Sequence, residues 1–180
     1  MSFISKVQLK YQLQKMGITV EGNYVRKRDI HNLLIGAKEK PLILYHGLIR
    51  SNLAKVKTQG LKPSHGYGGA GTNGVYLTKY KDVAIYWAKL QYMRSLEDYT
   101  MVDETLFDKR YGKQIKKLLA IVQVTIPPTA FDNLHADMEQ AEDVGFEGSE
   151  SDWKGSLEKI GDVRFDSTIP TAWIKEVSIE

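Results

Sequence analysis

The chain has 180 residues, 42% of them hydrophobic and 26% charged, the balance of an ordinary globular protein. It contains no cysteine, which excludes disulfide staples, thiolate zinc sites and cysteine nucleophiles. The net charge of +3 is unevenly placed: residues 1–65 hold 12 Lys/Arg against 3 Asp/Glu, and residues 116–180 hold 6 against 13. Such asymmetry marks either a nucleic-acid face or a solvated surface that partly neutralises itself in the fold. No run of eighteen apolar residues exists to span a membrane, and the N-terminus lacks a secretory leader's apolar core. A cytoplasmic home is expected.

In chain order, residues 5–16 read as a short helix with Ser5 as its cap and Gln8 placed for a capping box, ended by Gly17. The alternating runs around Glu21-Gly22-Asn23 read as a hairpin, and Asp29 caps a further helix that stops at Gly36. This basic helix–hairpin–helix extension, residues 1–40, is too small to hold a large core. From Pro41 the pattern turns β-rich. PLILYHG is an apolar strand running into a turn, residues 51–59 a helix capped by Ser51 or Asn52, and SHGYGGAGTNG a loop with five glycines. GVYLT is a second strand, and Asp82 caps the helix DVAIYWAKLQYMRSL. Residues 98–117 are helix-prone, LLAIVQVTI is a strand closed by Pro127-Pro128, residues 132–159 are acidic and irregular, and VRFDSTIP and WIKEVSI close the domain as strands. Strands and helices that do not alternate strictly imply an α+β domain over residues 41–180.

The glycine loop precedes a strand, whereas a dinucleotide-fold glycine loop follows a strand and opens a helix. Its backbone N–H groups could still cradle a phosphate. His46, on an apolar strand and followed by Gly47, is placed to face a cleft, and Gly47 lets a ligand approach the backbone. Behind it follow Gly74-Val75-Tyr76-Leu77-Thr78 and Ala84-Ile85-Tyr86-Trp87-Ala88.

In these strings the chain resembles the ADP-ribosyltransferase superfamily, on its poly(ADP-ribose) polymerase-like, H-Y-E branch. The RNA 2′-phosphotransferases share the layout, including a closing Pro-x-x-aromatic, here Pro170 to Trp173. The resemblance covers residues 41–180 and implies a split β-sheet core with flanking helices. It implies an enzyme that breaks the nicotinamide–ribose bond of NAD+ and transfers ADP-ribose, with NAD+ as co-substrate and no metal. His46 then bonds the adenine-side ribose, the Gly47 backbone holds the nicotinamide amide, and Tyr76, opened by Gly74, and Tyr86 sandwich the nicotinamide ring. The carboxylate falls to Asp162, where the family has glutamate, with Asp166 and Glu158 as alternatives. Leu48 departs from the family's Thr or Ser and removes one hydrogen bond to substrate. His31, His46, His65 and His135 are too scattered to form a metal cluster.

The acceptor is expected to be a nucleic acid, RNA or DNA, held by the basic N-terminal segment with Arg26, Lys27 and Arg28 beside Tyr24. A protein acceptor, or an acidic inhibitory partner of an antitoxin-like kind, suits the same charge, and many small relatives act as toxins or phage-defence factors. An RNA 2′-phosphotransferase, for which a second histidine would stand at Tyr76, and a non-catalytic NAD-binding module are the other readings.

Overall fold

A computed structural model describes residues 39–64, 73–96, 104–141 and 144–179. The helix–hairpin–helix extension with Arg26, Lys27 and Arg28, most of the glycine loop, and His65 lie outside the described residues. The chain divides into two units, one of residues 1–42 with 127–132, the other Ile43–Ile126 with Asn133–Glu180.

Six strands and six α-helices are described, joined by 3-10 turns. They are β1 (Leu42–Ile49), α1 (Leu53–Gln59), β2 (Val75–Thr78), α2 (Lys81–Ser95), α3 (Glu104–Tyr111), α4 (Ile115–Leu118), β3 (Leu119–Ile126), β4 (Leu134–Ala136), α5 (Met138–Ala141), α6 (Trp153–Lys159), β5 (Asp162–Phe165) and β6 (Ile174–Val177). The fold is α+β. The six strands form one sheet in the order β4-β5-β2-β1-β3-β6. The β1–β2, β2–β5, β4–β5 and β3–β6 pairs are antiparallel.

The expected split core is thus one hydrogen-bonded sheet, with a narrow seam. Between β1 and β2 a single Cα pair is in register, Tyr45 with Thr78, whereas β2 and β5 register four. The β-branched run of β3 supplies the centre of the core: Ile121, Val122, Val124 and Ile126 are fully buried. Leu77, Val163 and Phe165 are buried on β2 and β5. On its other flank α2 packs Ala84, Ala88 and Met93 with Leu119, Ile121 and Phe107.

Three local expectations change. β1 continues past His46 to Ile49, so the histidine stands within a strand and not at its end. Asp82 does not cap α2; Tyr80 occupies that position without a side-chain bond, and Asp82 lies in the first turn, where its charge complements the helix dipole. The acidic stretch 132–159 carries β4, α5 and α6, the last capped by the Asp152 carboxylate accepting from the Gly155 N–H.

Candidate active site

At the seam between β1 and β2 the strands part, and the Tyr76 carbonyl takes its hydrogen bond from a side chain. The His46 Nδ1–H donates to it at 2.8 Å. That bond fixes the imidazole tautomer and leaves Nε2 as an acceptor. Burial holds His46 below the usual histidine range, against the opposing pull of the same hydrogen bond, so the ring is neutral at physiological pH.

Gly47 also has a packing reason for lacking a side chain. A Cβ there would stand 1.8 Å from the Ala84 carbonyl oxygen and 2.9 Å from the Ala88 Cβ. The missing side chain therefore lets α2 lie against β1, and that approach carries the helix's inner face to the site. Gly74 is likewise filled from the protein side: its Cβ would meet the Arg164 Cγ at 2.4 Å.

Asp162 opens β5 directly opposite Thr78. Its side chain is 8% exposed, and Oδ1 is buried without a hydrogen-bond partner. Burial raises its carboxyl above the ordinary range; hydrogen bonds from Thr78 and Trp87 and the charge of Lys79 oppose the rise. A carboxylate oxygen left bare in such a place costs free energy that no packing contact returns.

Two further carboxylates stand beside it, and sequence reasoning did not find either. The Tyr76 hydroxyl donates to Glu139 Oε1. Burial first, then that bond and the Glu139 and Asp137 charges, push the phenol well above its usual range, so Tyr76 stays neutral. Asp137, 4% exposed, links β4 to α5, and its Oδ1 accepts the Glu139 N–H at 3.1 Å. Its carboxyl is pushed up to about 6 by burial and by the charges of Asp162 and Glu139. One hydroxyl ties the two aspartates together: Ser156 Oγ accepts from the Asp137 N–H at 3.1 Å and donates to the Asp162 carbonyl at 2.6 Å. The signal in the sequence was Leu134-His135-Ala136 followed by Asp-x-Glu, a three-residue alternation too short to read inside an acidic stretch.

These side chains line one cavity of about 350 Å³, within the range of pockets that hold small ligands. His46, Gly47, Gly74, Tyr76 and Asp162 all border it, as do Asp137, Glu139, Lys62 and Arg94. Ser64 and Gly74, which flank the glycine-rich tract, exchange two backbone hydrogen bonds and also border it. Tyr86 does not; Trp87 does. Along α2 the bordering residues are Ala84, Trp87, Gln91 and Arg94, spaced three, four and three apart on one helix face. Tyr86 sits about 100° around the helix from Trp87 and touches it edge-on, with ring centroids 5.3 Å apart. Asp166 and Glu158 also lie off the cavity: Asp166 pairs with His135 Nε2 at 3.1 Å, and Glu158 is exposed. Among the described residues no group of three or more His, Asp or Glu is arranged around a metal-sized centre.

Comparison with known proteins returns no matching family model, no matching curated protein and no matching solved structure.

Proposed function

We propose that the chain cleaves the nicotinamide–ribose bond of NAD+ and transfers ADP-ribose to a macromolecular acceptor. One observation carries this reading: a buried carboxylate with an unpartnered oxygen, Asp162, borders the same cavity as His46, Tyr76 and Trp87. Most buried side-chain polar atoms have a hydrogen-bond partner, so an orphaned carboxylate oxygen at a cavity supports a role in binding. A group in the cavity that donates a hydrogen bond and develops positive charge would complement this carboxylate, and a ribose losing nicotinamide does both.

The roles follow from the surroundings. Asp162 accepts from the ribose 2-hydroxyl next to the breaking bond and stabilises the charge that grows at the anomeric carbon. His46 offers Nε2 to a hydroxyl of the adenine-side ribose, because its other nitrogen is committed to the Tyr76 carbonyl. Tyr76 and Trp87 supply aromatic faces for the flat cationic ring, in place of the Tyr76–Tyr86 pair that the family pattern suggested. Lys62 and Arg94 offer positive charge for the pyrophosphate. A nucleic acid is the favoured acceptor, on the charge of the N-terminal segment.

The test is incubation of the full chain with NAD+ labelled in its adenosine half and separate pools of RNA, DNA and protein. Label entering one pool, with nicotinamide released in equal amount, supports transfer and names the acceptor. Absence of nicotinamide release from every mixture would remove the reading.

A further inference from the structure

We propose that Asp137 is the general base of this site, taking the proton from the acceptor nucleophile while Asp162 faces the developing cation. The inference rests on the NAD+-cleaving reading above and assigns a second catalytic carboxylate to it.

The two aspartates share a cavity, and their surroundings differ. Burial raises the Asp162 carboxyl, Thr78, Trp87 and Lys79 oppose that rise, and one oxygen stays bare. Asp137 has no cation among its neighbours that shift it; burial, Asp162 and Glu139 all favour its protonated form, and only backbone N–H groups oppose them. A site that holds two carboxyl groups in different hydrogen-bonding and charge surroundings divides them between charge stabilisation and proton transfer.

Helix capping alone does not explain Asp137. Its bonds from the backbone N–H groups of Glu139 and Gln140 would be accepted as well by Asn or Ser, without a charge. The chain instead keeps a carboxylate 4% exposed beside two others, where every added charge costs free energy. The groups that face it are Asp162 from β5, Glu139 from α5, the Tyr76 phenol from β2 and the Ser156 hydroxyl from α6. Ser156 holds the backbone of Asp137 and of Asp162 in fixed relation, so both carboxylates are positioned by one side chain.

The step balances without a further reagent. As the nucleophile X–H bonds to the anomeric carbon, its proton passes to the Asp137 carboxylate. The carbon–nitrogen bond breaks, and its electron pair returns to the pyridinium nitrogen, which leaves as neutral nicotinamide. Asp137 then releases the proton to solvent.

The test uses the full chain, NAD+ and water as the nucleophile, with nicotinamide release followed between about pH 5 and pH 9 in wild type, Asp137→Asn and Asp162→Asn, with and without azide. Azide needs no deprotonation to attack. Asp137→Asn should lower kcat by about 10²–10⁴-fold, remove the rise in rate on the acid side, and leave the Kd for NAD+ unchanged. Azide should restore its turnover, with ADP-ribosyl azide as product, and should not restore Asp162→Asn. A wild-type rate and acid limb in Asp137→Asn would overturn the assignment, as would a loss that azide leaves in place. A wild-type chain that releases no nicotinamide would remove the NAD+ reading and this inference together.

Discussion

Burial raises the Asp162 carboxyl and leaves one oxygen without a partner, so its proposed role in activity can be separated from its effect on stability. Asp162→Asn removes a buried carboxylate with an unpartnered oxygen. Its thermal midpoint should stay level or rise, while nicotinamide release falls by about 10²–10³-fold, the scale of losing one aimed electrostatic group. A normal rate would move the role to Glu139, since Asp166 and Glu158 lie outside the cavity. The aromatic assignment has its own control. Trp87→Leu should weaken NAD+ binding by roughly tenfold or more, the worth of a desolvated cation–π contact, and Tyr86→Leu should not. Titration measuring equal losses for both would place the ring elsewhere. Asp137 gives a pH signature in stability. Its folded carboxyl is raised from 3.8 to about 6, so the folded chain binds that proton more tightly than the unfolded chain. The resulting stabilisation is present at low pH and is lost as pH rises through about 6; over the full window it amounts to roughly 3 kcal/mol. His46, held below 6.5, works the other way and costs stability as pH falls through that value. The comparison is therefore the midpoint difference between Asp137→Asn and wild type. It should favour the variant more at pH 7.5 than at pH 5, and an equal difference at both would disprove the raised carboxyl.

Two elements, β1 and α2, bring the site together, and their contact is set by a residue with no side chain. In Gly47→Ala the new methyl group would lie 1.8 Å from the Ala84 carbonyl oxygen, which is backbone and cannot turn aside. α2 must then retreat, at a cost of about 1–3 kcal/mol for overpacking, and Trp87 moves with it. Thermal denaturation should register the loss, and NAD+ binding should weaken in the same variant. A fully stable Gly47→Ala would mean that the helix is not seated as described. The glycine was visible in the sequence, but its partner was not, because Ala84 lies 37 positions further along the chain. The same limit governed the rest. The long β-branched run of β3 and the short apolar runs of β1 and β2 were legible, since their signal is local. β4 has three residues and α5 four, too few for any period to register. The choice between Tyr86 and Trp87 needed the phase of α2 against the sheet, which Ala84, Ala88 and Gly47 set together and no single helix pattern declares. Asp162, by contrast, was named by the family resemblance, and the strand it opens pairs with the one bearing Tyr76.

Across the molecule, charge and chemistry are separated along the chain. Residues 1–40 hold eight Lys/Arg against three Asp/Glu, and residues 41–180 hold 17 against 19. The cavity itself is bordered by three carboxylates. If the proposed acceptor is a nucleic acid, the N-terminal segment is the larger source of positive charge for its phosphodiester backbone. Binding of a single-stranded RNA should fall steeply with salt, because each neutralised phosphate releases counterions. Replacing Arg26, Lys27 and Arg28 together by alanine should reduce the slope of log K against log salt by about 2, at roughly 0.7 per contact on a single strand. NAD+ cleavage with water as acceptor should be untouched in that variant, since the three residues precede the unit that forms the cavity. Fluorescence anisotropy from about 50 to 200 mM salt reads the slope, and nicotinamide release reads the activity. An unchanged slope would show that these cations do not meet phosphates. The basic segment would then dock an acidic protein surface, and the acceptor would be sought on that protein.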